Sequence, residues 1–460
     1  MKSVPLNRGV TDGSLADVVD GGYCVGCGAC AAVTDAPVAM RFDRFAKYRP
    51  DHVAAARATV SEQVCPFLDG PDEDALAAQA YSSLGGGHDA RLGWYQGLYA
   101  GHAIERGHRN EGSSGGLTSW LLAELLNRKM VTGVIHVRPI VESGKPRFAY
   151  TVSTSTDMVT ANAKTRYYPV EMSQVMAQVR ATPGRYVFVG VPCYVKAVRR
   201  LMRADPILKE RIVYAVSLFC GHMKSGRFAE SLAWQMGSQP DDWKTVDFRR
   251  KLADRPASSY GFAVQPHGGG AEVVMPMGQL EGYDWGMGVF RLSACDYCDD
   301  VVGETADASF GDAWLPAYVN DSAGTSLVIV RHPELQQLFV EARHEGRISL
   351  DDSNVDDMVK SQDASFRHRR IGLAYRLWLK DKRGQWRPTK RVQAEASHVV
   401  AVYRLIFRYR MFMSWSSHLV FGVARNMKML WVYTVYVRVL ARLNKSLVRL
   451  SRSPRFSRRA

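Results

Sequence analysis

The chain has 460 residues, of which 46% are hydrophobic and 23% charged, which excludes a disordered or fibrous protein and gives core enough for about two to four domains. Its net charge of +15 is unevenly spread: from Arg367 to Ala460 there are 23 Lys and Arg against two acids, while the preceding residues carry 37 basic and 43 acidic side chains. No run of about eighteen uncharged apolar residues is present, which argues against a spanning helix. The polar start at Met1-Lys2-Ser3-Val4-Pro5 is not that of a signal peptide.

Residues 1–88 contain Tyr23-Cys24-Val25-Gly26-Cys27-Gly28-Ala29-Cys30 and a remote Cys65-Pro66. Three thiols at Cys-x2-Cys-x2-Cys spacing wrap the chain around three corners of a cubane, and the Cys-Pro supplies the fourth corner of a [4Fe-4S] cluster. Gly26 and Gly28 fit a backbone that must bend tightly. Thr34 stands where a two-cluster pattern would place another cysteine, so the loop serves one cluster. Zinc or a set of buried thiols is the alternative, although zinc usually takes two separated pairs. With eight cysteines and no secretory context, a reducing cytoplasm is expected, where grouped thiols mean metal more often than disulfide. Asp74 to Ala80 reads as a helix.

Gly85-Gly86-Gly87 is a joint, after which Tyr95 to Gly101 reads as a strand. Glu111-Gly112-Ser113-Ser114-Gly115-Gly116 follows, then Leu117, Trp120, Leu121, Leu125 and Leu126 at helical spacing, and an apolar strand from Val131 to Val137. A Gly/Ser loop at a helix start offers free N–H groups and the positive dipole end to an anion; an N-cap with a flexible lead-in is the plainer reading. The segment Asn162 to Tyr168 brings Lys164, Arg166 and Tyr167, a candidate clamp for a dinucleotide or simply a solvated loop. Two further strands, Arg185 to Val189 and Ile212 to Phe219, lead into Gly190-Val191-Pro192-Cys193 and Cys220-Gly221-His222. Strands ending in cysteine suggest a site at one sheet edge. Cys295 and Cys298 then form a Cys-x2-Cys loop, and Ala308 to Trp314 reads as another strand. Cys193, Cys220, Cys295 and Cys298 account for every remaining thiol; a second cubane, a zinc site and Cys193 as a lone nucleophile are all compatible with this looser spacing.

After about residue 356 the chain becomes a basic helical tail. Val399 to Phe412 and Leu419 to Leu450 mix apolar and aromatic residues with arginines, as in helices that lie on an anionic membrane surface. A helical appendage packed on the body and a partner-binding arm are the alternatives. Charge alone would admit nucleic acid, but no reader motif accompanies it, so none is expected.

In this order the motifs resemble the coenzyme F-420 hydrogenase/dehydrogenase beta-subunit family, which includes the plant 7-hydroxymethyl chlorophyll a reductase and bacterial members associated with surface-polysaccharide genes. The resemblance covers about residues 20 to 320 and leaves out the tail. It implies an α/β (α+β overall) iron-sulfur flavoprotein: an N-terminal ferredoxin-like [4Fe-4S] module over 1–88 and a flavin-binding core over 89–180 and 181–355, to which composition alone adds the basic helical extension over 356–460. It places Glu111, Gly112, Ser113, Ser114, Gly115, Gly116, Lys164, Arg166 and Tyr167 in the FAD pocket and Gly190 to Pro192 near the flavin. A second [4Fe-4S] cluster falls to Cys193, Cys220, Cys295 and Cys298.

Clusters pass single electrons, whereas most organic reductions need two, so a flavin belongs between clusters and substrate. The expected path runs from a ferredoxin-like donor through the Cys24/Cys27/Cys30/Cys65 site and the second site to FAD and a small-molecule substrate. His222, Asp312 and Lys164 are the candidate proton donors. Deazaflavin (coenzyme F-420) chemistry, or an electron-transfer subunit docked by its tail on a membrane or polysaccharide-biosynthesis partner, are the competing expectations. The expected location is the cytoplasm, with the inner face of the membrane as a candidate peripheral site.

Overall fold

A computed structural model describes residues 13–105, 107–141, 147–240, 242–267 and 270–451; the polar start at Met1 to Pro5 lies outside them. The fold is mixed α/β, organised on one eight-stranded sheet. Its strands are β1 (Gly97–Ala103), β2 (Gly133–Pro139), β3 (Phe148–Ser153), β4 (Tyr186–Gly190), β5 (Ile212–Leu218), β6 (Ala308–Asp312), β7 (Ser326–Val330) and β8 (Ile348–Asp352), in the order β8-β1-β7-β6-β5-β4-β2-β3. Strands β2, β4, β5 and β6 pair in parallel, and antiparallel strands flank them on both sides. The parallel centre explains why β4 reads as an unbroken apolar run: it is buried on both faces.

Alternate residues feed two cores. Val134, Val187, Val189 and Val216 point to the side covered by helix α1 (Leu117–Asn127) and the helix Pro333–His344. Ile135, Phe188 and Ala215 point the other way, under helix α2 (Pro192–Ala204). That second core also takes in Tyr23, Cys27, Cys30 and Cys65 from the N-terminal segment. From the C-terminal helices α3 (Leu373–Lys382), α4 (Ala401–Asn426) and α5 (Leu430–Ser451) it takes Leu377, Met413, Phe421 and Tyr433. Both ends of the described chain therefore pack on the central body through one shared core. The expected helix near Asp74 is present as Glu73–Tyr81, and the basic tail folds as two long antiparallel helices after α3.

Buried ion pairs fasten the same three parts together. Lys196 on α2 meets Glu73 at 3.0 Å, Lys390 meets Asp299 at 3.3 Å, and Arg391 meets Glu304 at 2.7 Å and Asp74 at 2.6 Å. Glu73, Lys196, Asp299 and Glu304 are each at most 5% exposed. Opposite charges removed from water together hold one another, but stripping one partner leaves the other uncompensated. Arg391→Met is expected to lower stability by about 3–5 kcal/mol, read as a fall in the urea midpoint, whereas Arg387→Met, in a more exposed pair with Asp381, should shift it by no more than about 1 kcal/mol.

Candidate functional site

The N-terminal thiols sit on a chain that bends sharply at two glycines within seven residues. Gly26 and Gly28 hold φ angles of +71° and +80°, and a Cβ on either would lie within 2.6 Å of Tyr48 or Glu171, so only glycine suits these corners. Cys24, Cys27, Cys30 and Cys65 line one cavity with Val25, Met40 and Phe67. Backbone N–H groups are aimed at the sulfurs: Gly26 donates to Cys24 Sγ at 3.4 Å, Ala29 to Cys27, Ala31 to Cys30, and Phe67 and Leu68 to Cys65. Such donors favour charged sulfur, while burial pushes the free Cys24 thiol up to about 12 and those of Cys27, Cys30 and Cys65 up as well. Thiols so placed are poor nucleophiles without a metal and good ligands with one. Arg200 on α2, 3% exposed, lies close to Cys65 and hydrogen-bonds its carbonyl and, at 3.0 Å, that of Leu68.

The second quartet gathers where the parallel strands end. Cys193 opens α2 just after β4, and Cys220 follows β5; Cys295 and Cys298 belong to a 3-10 turn at Ser293–Tyr297 and its cap. The Cys193 thiol lies within electrostatic reach of Cys298, Cys220 and Cys295, and burial first, then these neighbours, raise it well above the ordinary thiol range. A lone nucleophilic role for Cys193 is disfavoured by that environment. Met223 N–H donates to Cys295 Sγ at 3.2 Å. Arg369, from a π-helical turn at His368–Gly372 that precedes α3, hydrogen-bonds Cys220 and is drawn electrostatically to Cys298, Cys220 and Cys295. It is 1% exposed, and its guanidinium also holds the carbonyls of Gly221, at 3.1 Å, and Asp300. Among the described residues, no three His, Cys, Asp or Glu side chains converge around a single ion.

The Gly/Ser loop and the Lys164–Tyr167 segment, far apart in sequence, meet in space. Ser113 Oγ accepts from Thr165 N–H at 2.9 Å, and Ser114 Oγ donates to the Thr325 carbonyl at 2.9 Å. Gly115 and Gly116 are required by packing: a Cβ on either would overlap backbone of β1, β7 or His108. Glu111 is exposed at the end of a short helix and Gly112 is buried beneath it. Arg249 pairs with Asp312 through two bonds of 2.9 and 3.0 Å and reaches the Ser113 carbonyl at 3.3 Å. Lys251 donates to the Ser114 carbonyl at 2.8 Å; burial, then the cations Lys164, Arg109 and Arg249, hold it down at about 8. Lys164 faces Asp247 at 3.3 Å, and Arg166 lies over the Phe148 ring with a buried Nε that has no hydrogen-bond partner among the described residues. Arginine and lysine gathered around a helix start form a site suited to a phosphate-bearing ligand. Gly190 ends β4 and abuts Phe188 and Tyr150, and Pro192 starts the helix that carries Cys193.

The three regions adjoin in a row. Cys193 also feels Cys27 of the first quartet, and the Tyr150 and Tyr194 hydroxyls sense cysteines of both quartets. On the other side, Tyr167 lies within electrostatic reach of Cys220, and Trp285 sits between Tyr167 and His222, with ring centroids 4.5 and 4.4 Å away. His222 is 8% exposed; burial, then Lys224, holds its pKa well below the usual imidazole range, so the ring is neutral. Sequence reasoning missed Arg200, Arg249, Lys251, Trp285 and Arg369. Only the glycine-flanked Gly282 to Gly288 stretch around Trp285 offered a local signal.

Two family profiles match the chain. One, described as the N-term of the coenzyme F420 hydrogenase/dehydrogenase beta subunit, covers residues 98–177, and the other, described as the C terminus of that same subunit, spans 184–355, together more than half of the sequence. Cys193, Cys220, Cys295, Cys298, the Gly/Ser loop and the Lys164 segment fall inside these spans; the first quartet and Arg369 fall outside. No curated protein matches. Among solved structures, a chain of the F420-reducing [NiFe] hydrogenase complex from Methanosarcina barkeri aligns with a TM-score of 0.48 and 18% identity, over 64% of this chain and 95% of that one.

Proposed function

The chain belongs to the coenzyme F420 hydrogenase/dehydrogenase beta-subunit family, a family of oxidoreductase subunits, and from that premise we propose that it is an iron-sulfur flavoprotein that draws electrons from a ferredoxin-like donor to reduce a small molecule. The observation that carries this reading is the arrangement in a row: one cysteine quartet beside a second, and the second beside a cationic loop pocket. Cys24, Cys27, Cys30 and Cys65 would hold one [4Fe-4S] cluster, and Cys193, Cys220, Cys295 and Cys298 another. FAD would lie against Ser113, Ser114, Lys164, Arg166 and Tyr167, with Arg249 and Lys251 added to the set. When bound, these groups supply one-electron exchange at the clusters and paired-electron exchange at the flavin.

The chain's own residues do the rest. Arg369 and Arg200 offset negative charge that the quartets would otherwise bury unpaired. Arg166 and Lys251 would neutralise a pyrophosphate, while Trp285, Tyr167 and Phe248 keep water from the junction between quartet and pocket. Asp312 and Lys164 are held in ion pairs with Arg249 and Asp247 and therefore act as positioning groups. His222 contributes a neutral ring stacked on Trp285, with an Nε2 that has no hydrogen-bond partner among the described residues. A second reading, favoured by the family description, makes coenzyme F420 the partner at the flavin. A spectral change of F420 on mixing with reduced protein separates the two.

Anaerobic purification with quantification of iron, acid-labile sulfide and flavin is expected to give about eight iron, eight sulfide and one FAD per chain, with absorbance that bleaches on dithionite. About four iron with one zinc would overturn the second cluster, and failure to take up flavin on reconstitution would overturn the flavoprotein. Lys251 also fixes the sign of a pH effect: positive below about 8 and neutral above it, it should help retain FAD at pH 6.5 and cease to do so at pH 9. FAD affinity measured by flavin fluorescence is expected to fall several-fold across that range, and the fall should flatten in Lys251→Gln.

A further inference from the structure

The α4–α5 hairpin carries an apolar stripe that no described part of the chain covers. From Trp415 onward, every fourth residue through Leu419, Val423, Met427, Trp431, Val435, Val439 and Leu443 is a large apolar side chain, and each is between 37 and 62% exposed. Met427, in the turn between the helices, is itself 54% exposed, so the exposed apolar residues include one at the turn as well as those on each helix. These side chains are not needed to hold the hairpin in place. Its opposite face already packs on the body through Met413, Phe421 and Ala424 of α4 and Tyr433, Val437 and Leu440 of α5. A surface helix needs one apolar face; this hairpin has two. An exposed apolar patch of this extent marks an interaction surface.

Charge indicates what covers it. Residues 401–451 contain nine Lys and Arg and no Asp or Glu. Arg408, Lys428, Arg442, Lys445 and Arg449 are exposed beside the stripe, while Arg425 and Arg438 reach Glu230 and Glu281 on the body. A second copy of the chain would set this cationic face against itself, an arrangement that like charges oppose. Neither helix is long and apolar enough to cross a membrane among the described residues. Apolar side chains flanked only by cations, with Trp415 and Trp431 on either side of the turn, are the signature of a helix that lies in the headgroup layer of an anionic bilayer.

We propose that the outer face of the α4–α5 hairpin seats the protein on an anionic lipid surface, with the stripe in the acyl boundary and the arginines and lysines at the phosphates. This goes beyond the redox reading and does not depend on it. The seat is rigidly tied to the body: Ser414 Oγ donates to the Arg291 carbonyl at 2.7 Å, and Ser417 Oγ accepts from Phe290 N–H at 3.0 Å, a few residues before Cys295. The second quartet is thereby held at a fixed distance from the bilayer.

The test is flotation of the full chain, purified with its native cofactor content, with vesicles of phosphatidylcholine alone or mixed with phosphatidylglycerol. At low salt the anionic vesicles are expected to carry at least tenfold more protein than the neutral ones, and 0.5 M salt should reverse most of that binding. Two variants, Trp415→Ser/Trp431→Ser/Val435→Ser and Arg442→Gln/Lys445→Gln/Arg449→Gln, should each lower binding about tenfold while circular dichroism and iron content stay unchanged. Equal partition onto both vesicle types, or unaltered binding by the two variants, would overturn the proposal. So would a dimer seen in sedimentation that the apolar variant dissolves while the wild type ignores vesicles, since that outcome assigns the face to a second copy.

Discussion

Negative charge in a dry interior must be met by positive charge, and much of this structure follows from that constraint. Eight cysteines lie within one continuous region, and as thiols most are held neutral by burial. To serve as ligands they must lose their protons, and the interior has to offset the result. Arg200 stands at the first quartet and Arg369 at the second, both almost fully buried. Neither cation is near its quartet in sequence. Arg200 rides on the helix that Cys193 begins, and Arg369 comes from the segment leading into the tail, so each quartet is completed only when distant parts of the chain are docked.

The same logic accounts for the ion pairs that clamp the parts together. Glu73, Lys196, Asp299, Lys390, Arg391 and Glu304 come from the N-terminal segment, α2, the loop after Cys298 and the chain between α3 and α4. Such a network adds little net stability over an apolar core, but its members cannot be separated without leaving charges buried. It therefore specifies the docking of these segments around the quartets.

The sequence was most legible where ligand spacing is local. Cys24, Cys27 and Cys30 stand out as a group within seven residues, and the structure gathers them with Cys65 around one cavity; the strand, glycine loop and helix around Ser113 follow from patterning alone. That the Gly/Ser loop meets the Lys164 segment was foreseeable from the resemblance, but the hydrogen bond between Ser113 and Thr165 was not. Arg249 and Lys251 lie on a strand of a separate three-stranded sheet and its end, and nothing near them in sequence marks them out. Gly115 and Gly116, which suggested a ligand cradle, are also demanded by backbone packing, a reason no single sequence can reveal. The tail's helices and their basic character were evident from composition; its inner contacts with the body, and the π-helical turn that delivers Arg369, depend on tertiary structure.

If each cysteine quartet holds a redox centre, the two centres are near neighbours, since Cys193 of the second lies within electrostatic reach of Cys27 of the first. Electron paramagnetic resonance of the dithionite-reduced protein tests it most directly. Two paramagnetic cluster signals are expected, with lines broadened by their mutual interaction, and a simple, unbroadened spectrum in Cys27→Ser, where only the second centre would persist. A single unperturbed signal in the wild-type protein, or two signals that show no interaction, would contradict it.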